Sequence, residues 1–163
     1  MKRLTMLALL IAGVLLGFIA VRGTVAADPA EDQVAVAQRK DRQLLEGRWR
    51  AVALEVNGEK AAEQDARKLL VVNGPEGHWT LFHEGDEVSR GTSTFDATKK
   101  PKWIDFSLQA QDGTTSRYVG IYELGEQQRR LCFAPASSGR PTEFRTLPGS
   151  MQILVVFLRE ATK

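Results

Sequence analysis

Cysteine occurs once in the 163 residues, at Cys132, so an internal disulfide is impossible and the fold must be held by packing rather than by cross-links. Cys132 sits in the apolar run 131-LCF-133 with nothing beside it in sequence to lower a thiol pKa, and reads as a buried, inert small hydrophobe. Histidine occurs twice, at His78 and His83. The chain has no H-E-x-x-H spacing, no glycine-rich phosphate loop and no nucleophile elbow, which removes the recognisable zinc-hydrolase, nucleotide-binding and serine-hydrolase classes. The two histidines belong to 77-GHWTLFH-83, where a strand sends them to opposite faces, so they cannot share an ion and no metal is expected. Glu84, Asp86 and Glu87 follow as a solvated acidic turn, and Ser137 and Ser138 lie in a Gly/Pro loop with no histidine near them. No catalytic residue and no cofactor emerge. The chain is not expected to be an enzyme.

Basic excess is missing too, once the first residues are set aside. Lys2 and Arg3 precede an uncharged apolar stretch from Leu4 to Val21, after which Thr24-Val25-Ala26 and Val25-Ala26-Ala27 offer the small residues a signal peptidase accepts. Residues 1–27 therefore read as a signal peptide cleaved after Ala26 or Ala27, with an uncleaved membrane anchor as the alternative. Either way the rest of the chain lies outside the cytoplasm, in the periplasm, the cell envelope or the medium. Membrane contact is expected only through that segment, if it is retained. The whole sequence has 22 Lys and Arg against 20 Asp and Glu; removing Lys2, Arg3 and Arg22 leaves 19 against 20, a net charge of −1. No electrostatic footprint for nucleic acid remains. About 136 residues are left, enough for one domain with one core.

Residues 28–43 are polar and read as a tether running into a short helical turn, ahead of a domain spanning 44–163. At 49-WRAVALEV-56 the pattern changes to period two, with Val52, Leu54 and Val56 on one face and Trp49, Ala51, Ala53 and Glu55 on the other, ending at the turn Asn57-Gly58. The segment 61-AAEQDARKLL-70 is rich in helix formers and gives one or two helical turns before 69-LLVVN-73. Further strands follow at 77–83, 87–95, 103–109, 116–124, 129–134 and 151–159, separated by turn-forming stretches such as 74-GPEG-77, 112-DGT-114 and 125-GEQQ-128. Eight similar strands with short connections give an all-β, eight-stranded antiparallel up-and-down barrel with one short helix between strands 1 and 2; closure removes the exposed edges of an open sheet. Such a barrel is either filled by its own side chains or holds one small ligand. The longest interruption, 135-PASSGRPTEFRTLPGS-150, includes a segment, 142–146, able to pair as an extra edge.

Gly47-Arg48-Trp49 opens the first strand. At the head of an eight-strand meander it resembles the entry of lipocalins and related calycin barrels. The resemblance implies that the glycine lets the backbone bend closely under the barrel, that the tryptophan plugs the closed end, and that Arg159, near the end of the last strand, covers its indole face. The blocks 44-LLEGRWRAVALEVNGEK-60, 91-GTSTFDATKKPKWIDF-106, 119-VGIYEL-124, 131-LCFAP-135 and 140-RPTEF-144 resemble, in the same order, those of a small exported domain family of unknown function abundant in planctomycete bacteria. The resemblance implies a lipocalin-like barrel and an envelope or secreted location, and no catalytic residues. It also marks 96-DATKKPKWIDF-106 as a regular part of the fold, with Ile104, Phe106 and Leu108 facing one way and Trp103, Asp105 and Ser107 the other.

Functional candidates come from the alternation of faces. Trp79, Leu81 and His83 share one face; Tyr118, Gly120 and Tyr122 share another, with room at Gly120 for a neighbouring backbone or a ligand. Pointed inward, they line an aromatic cavity with a few polar tips, the usual composition of a small-molecule site, or else they simply fill the barrel. Two functions follow: a non-catalytic binder of a small apolar or amphipathic ligand in the barrel, or a protein-interaction module, of protease-inhibitor type, that engages an envelope protein through 135–150. An enzyme without recognisable motifs ranks third. A sizeable cavity favours the first, a filled interior with a projecting loop or N-terminal arm the second.

Overall fold

The structure, a computed structural model, describes residues 29–161. The export segment expected at 1–27, its cleavage site and its use as an anchor lie outside them. Among the described residues no helix is long and apolar enough to cross a membrane.

Eight antiparallel strands form a closed up-and-down barrel: β1 (Gly47–Val56), β3 (Leu69–Asn73), β4 (His78–His83), β5 (Asp86–Asp96), β6 (Lys102–Ala110), β7 (Thr115–Leu124), β8 (Gln128–Pro135) and β9 (Ile153–Arg159). Each pairs with the next, and β1 pairs with β9 from Trp49↔Arg159 to Val56↔Ile153, which removes both sheet edges. A two-residue strand, β2 (Glu59–Lys60), folds back on the end of β1 through Asn57-Gly58, both at positive φ as a tight Asn-Gly turn requires. The expected short helix is α2 (Glu63–Ala66).

Three local expectations need correction. The stretch 28–43, expected to be a polar tether with one short helical turn, is helical over nearly its whole length: 29-PAEDQVAVAQRKDRQLL-45 forms α1 (Pro29–Leu45), with proline at its start, good helix formers throughout and no glycine. Its last turns bury Asp41 and Leu45 against one end of the barrel. In β1 the alternation does not run unbroken, because a bulge between Ala51 and Ala53 shifts the register against β9. Trp49 and Ala51 are buried before it, and Leu54 and Val56 line the interior after it. No strand forms at 142–146; the long connection has a single 3-10 turn, Ala136–Ser138, and then runs without regular structure to β9.

Packing is concentrated at one end. Trp49, Ala51, Ile104, Tyr122, Leu131, Val155 and Phe157 form the buried cluster, and register places most of them beside the start of β1 and β8 and the end of β7 and β9. This end is the floor, closed by α1. A second, smaller set, Ile121, Cys132 and Ala134, is buried on the outward face of β7 and β8. The long connection is fastened beside it: Cys132 Sγ donates to Arg145 O (3.4 Å), Arg140 Nη1 donates to Gly120 O (2.6 Å) and Ile104 O (3.1 Å), and buried Thr146 donates from Oγ1 to Glu55 (2.5 Å).

Candidate functional site

Glycine precedes Arg48-Trp49 because the backbone there takes a conformation that other residues rarely adopt, and a Cβ would crowd the Arg159 guanidinium. Gly47 has φ +109°, and a Cβ on it would stand 2.8 Å from Arg159 Nη1. The space it leaves is used by the guanidinium, which donates from Nη1 to Glu46 O (2.8 Å), from Nη2 to Leu44 O, and from Nε to Glu126 O (2.7 Å). The same guanidinium lies 4.2 Å from the centre of the Trp49 ring, the pairing that the resemblance implied. Trp49 is fully buried, and its Nε1 donates to Leu45 O (2.8 Å), tying the end of α1 to the floor.

A further anchor holds α1. Buried Asp41 accepts from Lys102 Nζ (2.6 Å) and from Tyr122 Oη (2.7 Å), and burial together with the Asp41 carboxylate drives the Tyr122 hydroxyl far above its ordinary pKa. Tyr122 thus serves as a buried structural donor. It does not line the interior space.

Above the floor the barrel is hollow. The cavity measures about 310 Å³, at the lower end of the size range for small-molecule sites. Apart from Asn73, Trp79, Ser93, Tyr118 and Arg129, every lining side chain is aliphatic or phenylalanine. Toward the mouth stand Val56, Leu69, Leu108 and Ile153; Leu54, Val71, Leu131 and Val155 follow below. One wall is aromatic: Phe106 stacks on Tyr118 (centroids 5.3 Å, planes 14° apart), while Phe133 meets both rings edge-on at 4.9 and 5.7 Å and Trp79 meets Phe106 edge-on at 5.9 Å. The gap at Gly120 is taken by a neighbouring strand: a Cβ there would meet Phe133 Cβ and Cys132 O, each at 2.7 Å.

Of the five residues expected on a cavity wall, Trp79, Leu81 and Tyr118 line it. His83 does not. It ends β4 exposed at the rim, because the strand outlasts the enclosed part of the barrel. Tyr122 is the other exception, drawn to Asp41 beneath the floor. His78 is exposed as well, and no cluster of three or more His, Cys, Asp or Glu suited to a metal is present among the described residues.

Arg129 is the residue that sequence reasoning passed over. It follows the first residue of β8, alternates with Leu131 and Phe133 on the inward face, and is 3% exposed. Its guanidinium lies 4.7 Å from the Trp49 ring centre and 4.6 Å from that of Phe157. With the Asn73 amide turned so that its oxygen faces the cation, Asn73 accepts from Nη1 (2.8 Å) and Nη2 (3.2 Å). Nε has no partner, and among the described residues no carboxylate pairs with the group. Burial, and then the charge of Arg159, pulls the Arg129 pKa down to about 9, so it stays protonated at neutral pH. A buried cation without a counter-ion costs several kcal/mol. Trp79 Nε1, on the same cavity wall, is also buried without a partner. The signal in sequence is a charged residue at an inward position of a strand whose alternate residues are apolar.

Compared with protein-family models, with curated proteins and with solved structures, the chain matches none.

Proposed function

We propose that this chain is an exported, non-catalytic binding domain that carries one small apolar or amphipathic ligand inside its barrel. The observation that supports it is the hollow itself: about 310 Å³ of apolar-walled space above a tightly packed floor. A barrel that needed only stability would fill this volume with larger side chains, since interiors pack to near-crystalline density. Val56, at the end of β1, and Met151, on the approach to β9, are both exposed and give the rim an apolar character suited to such a guest.

The envelope or secreted location is part of the same proposal and rests on the apolar run 4–21 and the small residues around Ala26, with the likeness to exported planctomycete lipocalin-like domains as a further reason. The alternative, an interaction or inhibitor module working through 135–150, has less support, because that connection is strapped to the barrel wall by Arg140, Arg145 and Thr146 instead of projecting.

Native mass spectrometry of the protein purified from its own cells tests this directly. A defined small molecule retained in the gas phase, on a chain beginning at Ala27 or Asp28, is the expected result. A co-purifying protein on a chain with an empty barrel would overturn it in favour of the interaction reading.

A further inference from the structure

We propose that the ligand is an amphipathic monocarboxylate, seated with its head group on Arg129 at the floor and its apolar chain running toward the mouth. This rests on the cavity being a ligand site and adds the ligand's charge and its direction of entry.

Four observations carry it. Arg129 lines the cavity at its deep end, among Trp49, Phe157 and Asn73, while the mouth is aliphatic, so the one charge in the space lies at the bottom. Its side chain is almost wholly buried, yet among the described residues the only acceptor it meets is the neutral Asn73 amide, and Nε is left over. The charge that acts on it from within the protein is another cation, Arg159, which sharpens the need for an anion. The remaining polar lining groups are already engaged or carry no charge: Ser93 Oγ donates to Gly77 O (3.2 Å), and Tyr118 stacks on Phe106.

A guanidinium presents its N–H groups as a planar fork that matches a carboxylate. One guanidinium beside one amide suits a single negative charge. A cationic ligand is repelled by the Arg129–Arg159 pair, and a neutral one leaves the buried charge unpaired. The chain of the ligand then occupies the aliphatic upper space, where its burial supplies affinity that the head group alone cannot.

The test compares dodecanoate with dodecanol, its uncharged counterpart of the same chain length, on the full chain by isothermal titration calorimetry. Dodecanoate is expected to bind at least about tenfold more tightly, as a charge-assisted bidentate contact implies. With the carboxyl carbon isotopically labelled, NMR titration is expected to show its pKa lowered on binding, the signature of an adjacent cation. In Arg129→Met the preference for dodecanoate falls to about onefold; methionine removes an unpaired charge from an apolar setting, a change that folded proteins tolerate. The carboxyl titration on the unmutated protein stands even if the variant fails to fold. Equal binding of the two probes, an unshifted carboxyl pKa, or a preference that survives in Arg129→Met overturns the head-group assignment and leaves the carrier function standing. If neither probe binds, the carrier function falls with it.

Discussion

Replacing Arg129 by methionine probes how the floor is held together. In the folded protein the guanidinium is buried with no counter-ion among the described residues, and the fall of its pKa to about 9 corresponds to roughly 5 kcal/mol of disfavoured charge. Removing it also leaves the Asn73 oxygen without donors, at about 1–3 kcal/mol. The cation–π contacts with Trp49 and Phe157, about 0.5–2 kcal/mol each, give way to sulfur–aromatic contacts of about 0.3–1.5 kcal/mol. Taken at their central values these terms leave about 2 kcal/mol in favour of the variant. Urea unfolding followed by tryptophan fluorescence measures it as a raised midpoint at unchanged slope. The pH dependence has a definite sign. Below about pH 9 the wild type bears the full cost; above it the unfolded chain holds a proton that the folded chain has lost, so stability rises with pH and the variant's advantage narrows. A loss of more than about 2 kcal/mol in Arg129→Met at neutral pH would refute the claim that this charge is unpaired.

Other residues make further checks. Asp41→Ala strands the buried Tyr122 hydroxyl and frees Lys102, so we expect a loss of about 2–4 kcal/mol with faster amide exchange across 29–45, partly recovered in the double variant with Tyr122→Phe. Cys132, fully buried and with its thiol pKa raised chiefly by that burial, is expected to resist alkylation at pH 8 in the native protein and to react at once on unfolding; rapid native labelling would show that the 135–150 connection does not cover it. Burial opposes ionisation of Glu160, but the hydrogen bonds and charges of Arg50 and Arg48 outweigh it and lower its pKa. Its contribution is therefore present above the ordinary pKa of 4.5 and lost as pH falls through the lower folded value, so the stability advantage of wild type over Glu160→Gln is expected to shrink across that acid window.

Strand positions were legible because the barrel's inner face is apolar and its outer face is not. The reading of β6 shows this well: Ile104, Phe106 and Leu108 point inward and Trp103 stands outside, where Lys99 and Arg140 lie over its ring. The Gly47, Trp49 and Arg159 arrangement was legible for a different reason. It was expected from the resemblance to lipocalin barrels, and its physical reason is visible only in the structure, where Trp49 pairs with Arg159 and a Cβ on Gly47 would crowd the guanidinium.

What was missed follows from physics that sequence patterns do not carry. The polar stretch 28–43 does not read as a long helix because only Asp41 and Leu45 are buried in the last turns of α1; the rest of α1 beyond residue 32 is half-buried or exposed, so no apolar stripe announces it. The bulge in β1 reverses which residues face inward, and nothing in 49-WRAVALEV-56 marks where it falls. Among the cavity residues, Tyr118 and Tyr122 are equivalent by alternation, and the partner that separates them, Asp41, comes from 81 residues earlier in the chain. Arg129 was passed over because a charged residue at a strand start is ordinarily assigned to water.

The most direct test of the central claim, that the barrel interior is a binding space and not a defect of packing, is the affinity of a homologous series from hexanol to tetradecanol, with the bound site mapped by amide chemical shifts. If the cavity takes the chain, each added methylene should tighten binding by about 0.8 kcal/mol, near fourfold, until the space is full, with shifts centred on Val71, Leu81, Phe106, Leu131 and Val155. Affinity independent of chain length, or shifts confined to the outer surface and 135–150, would contradict it.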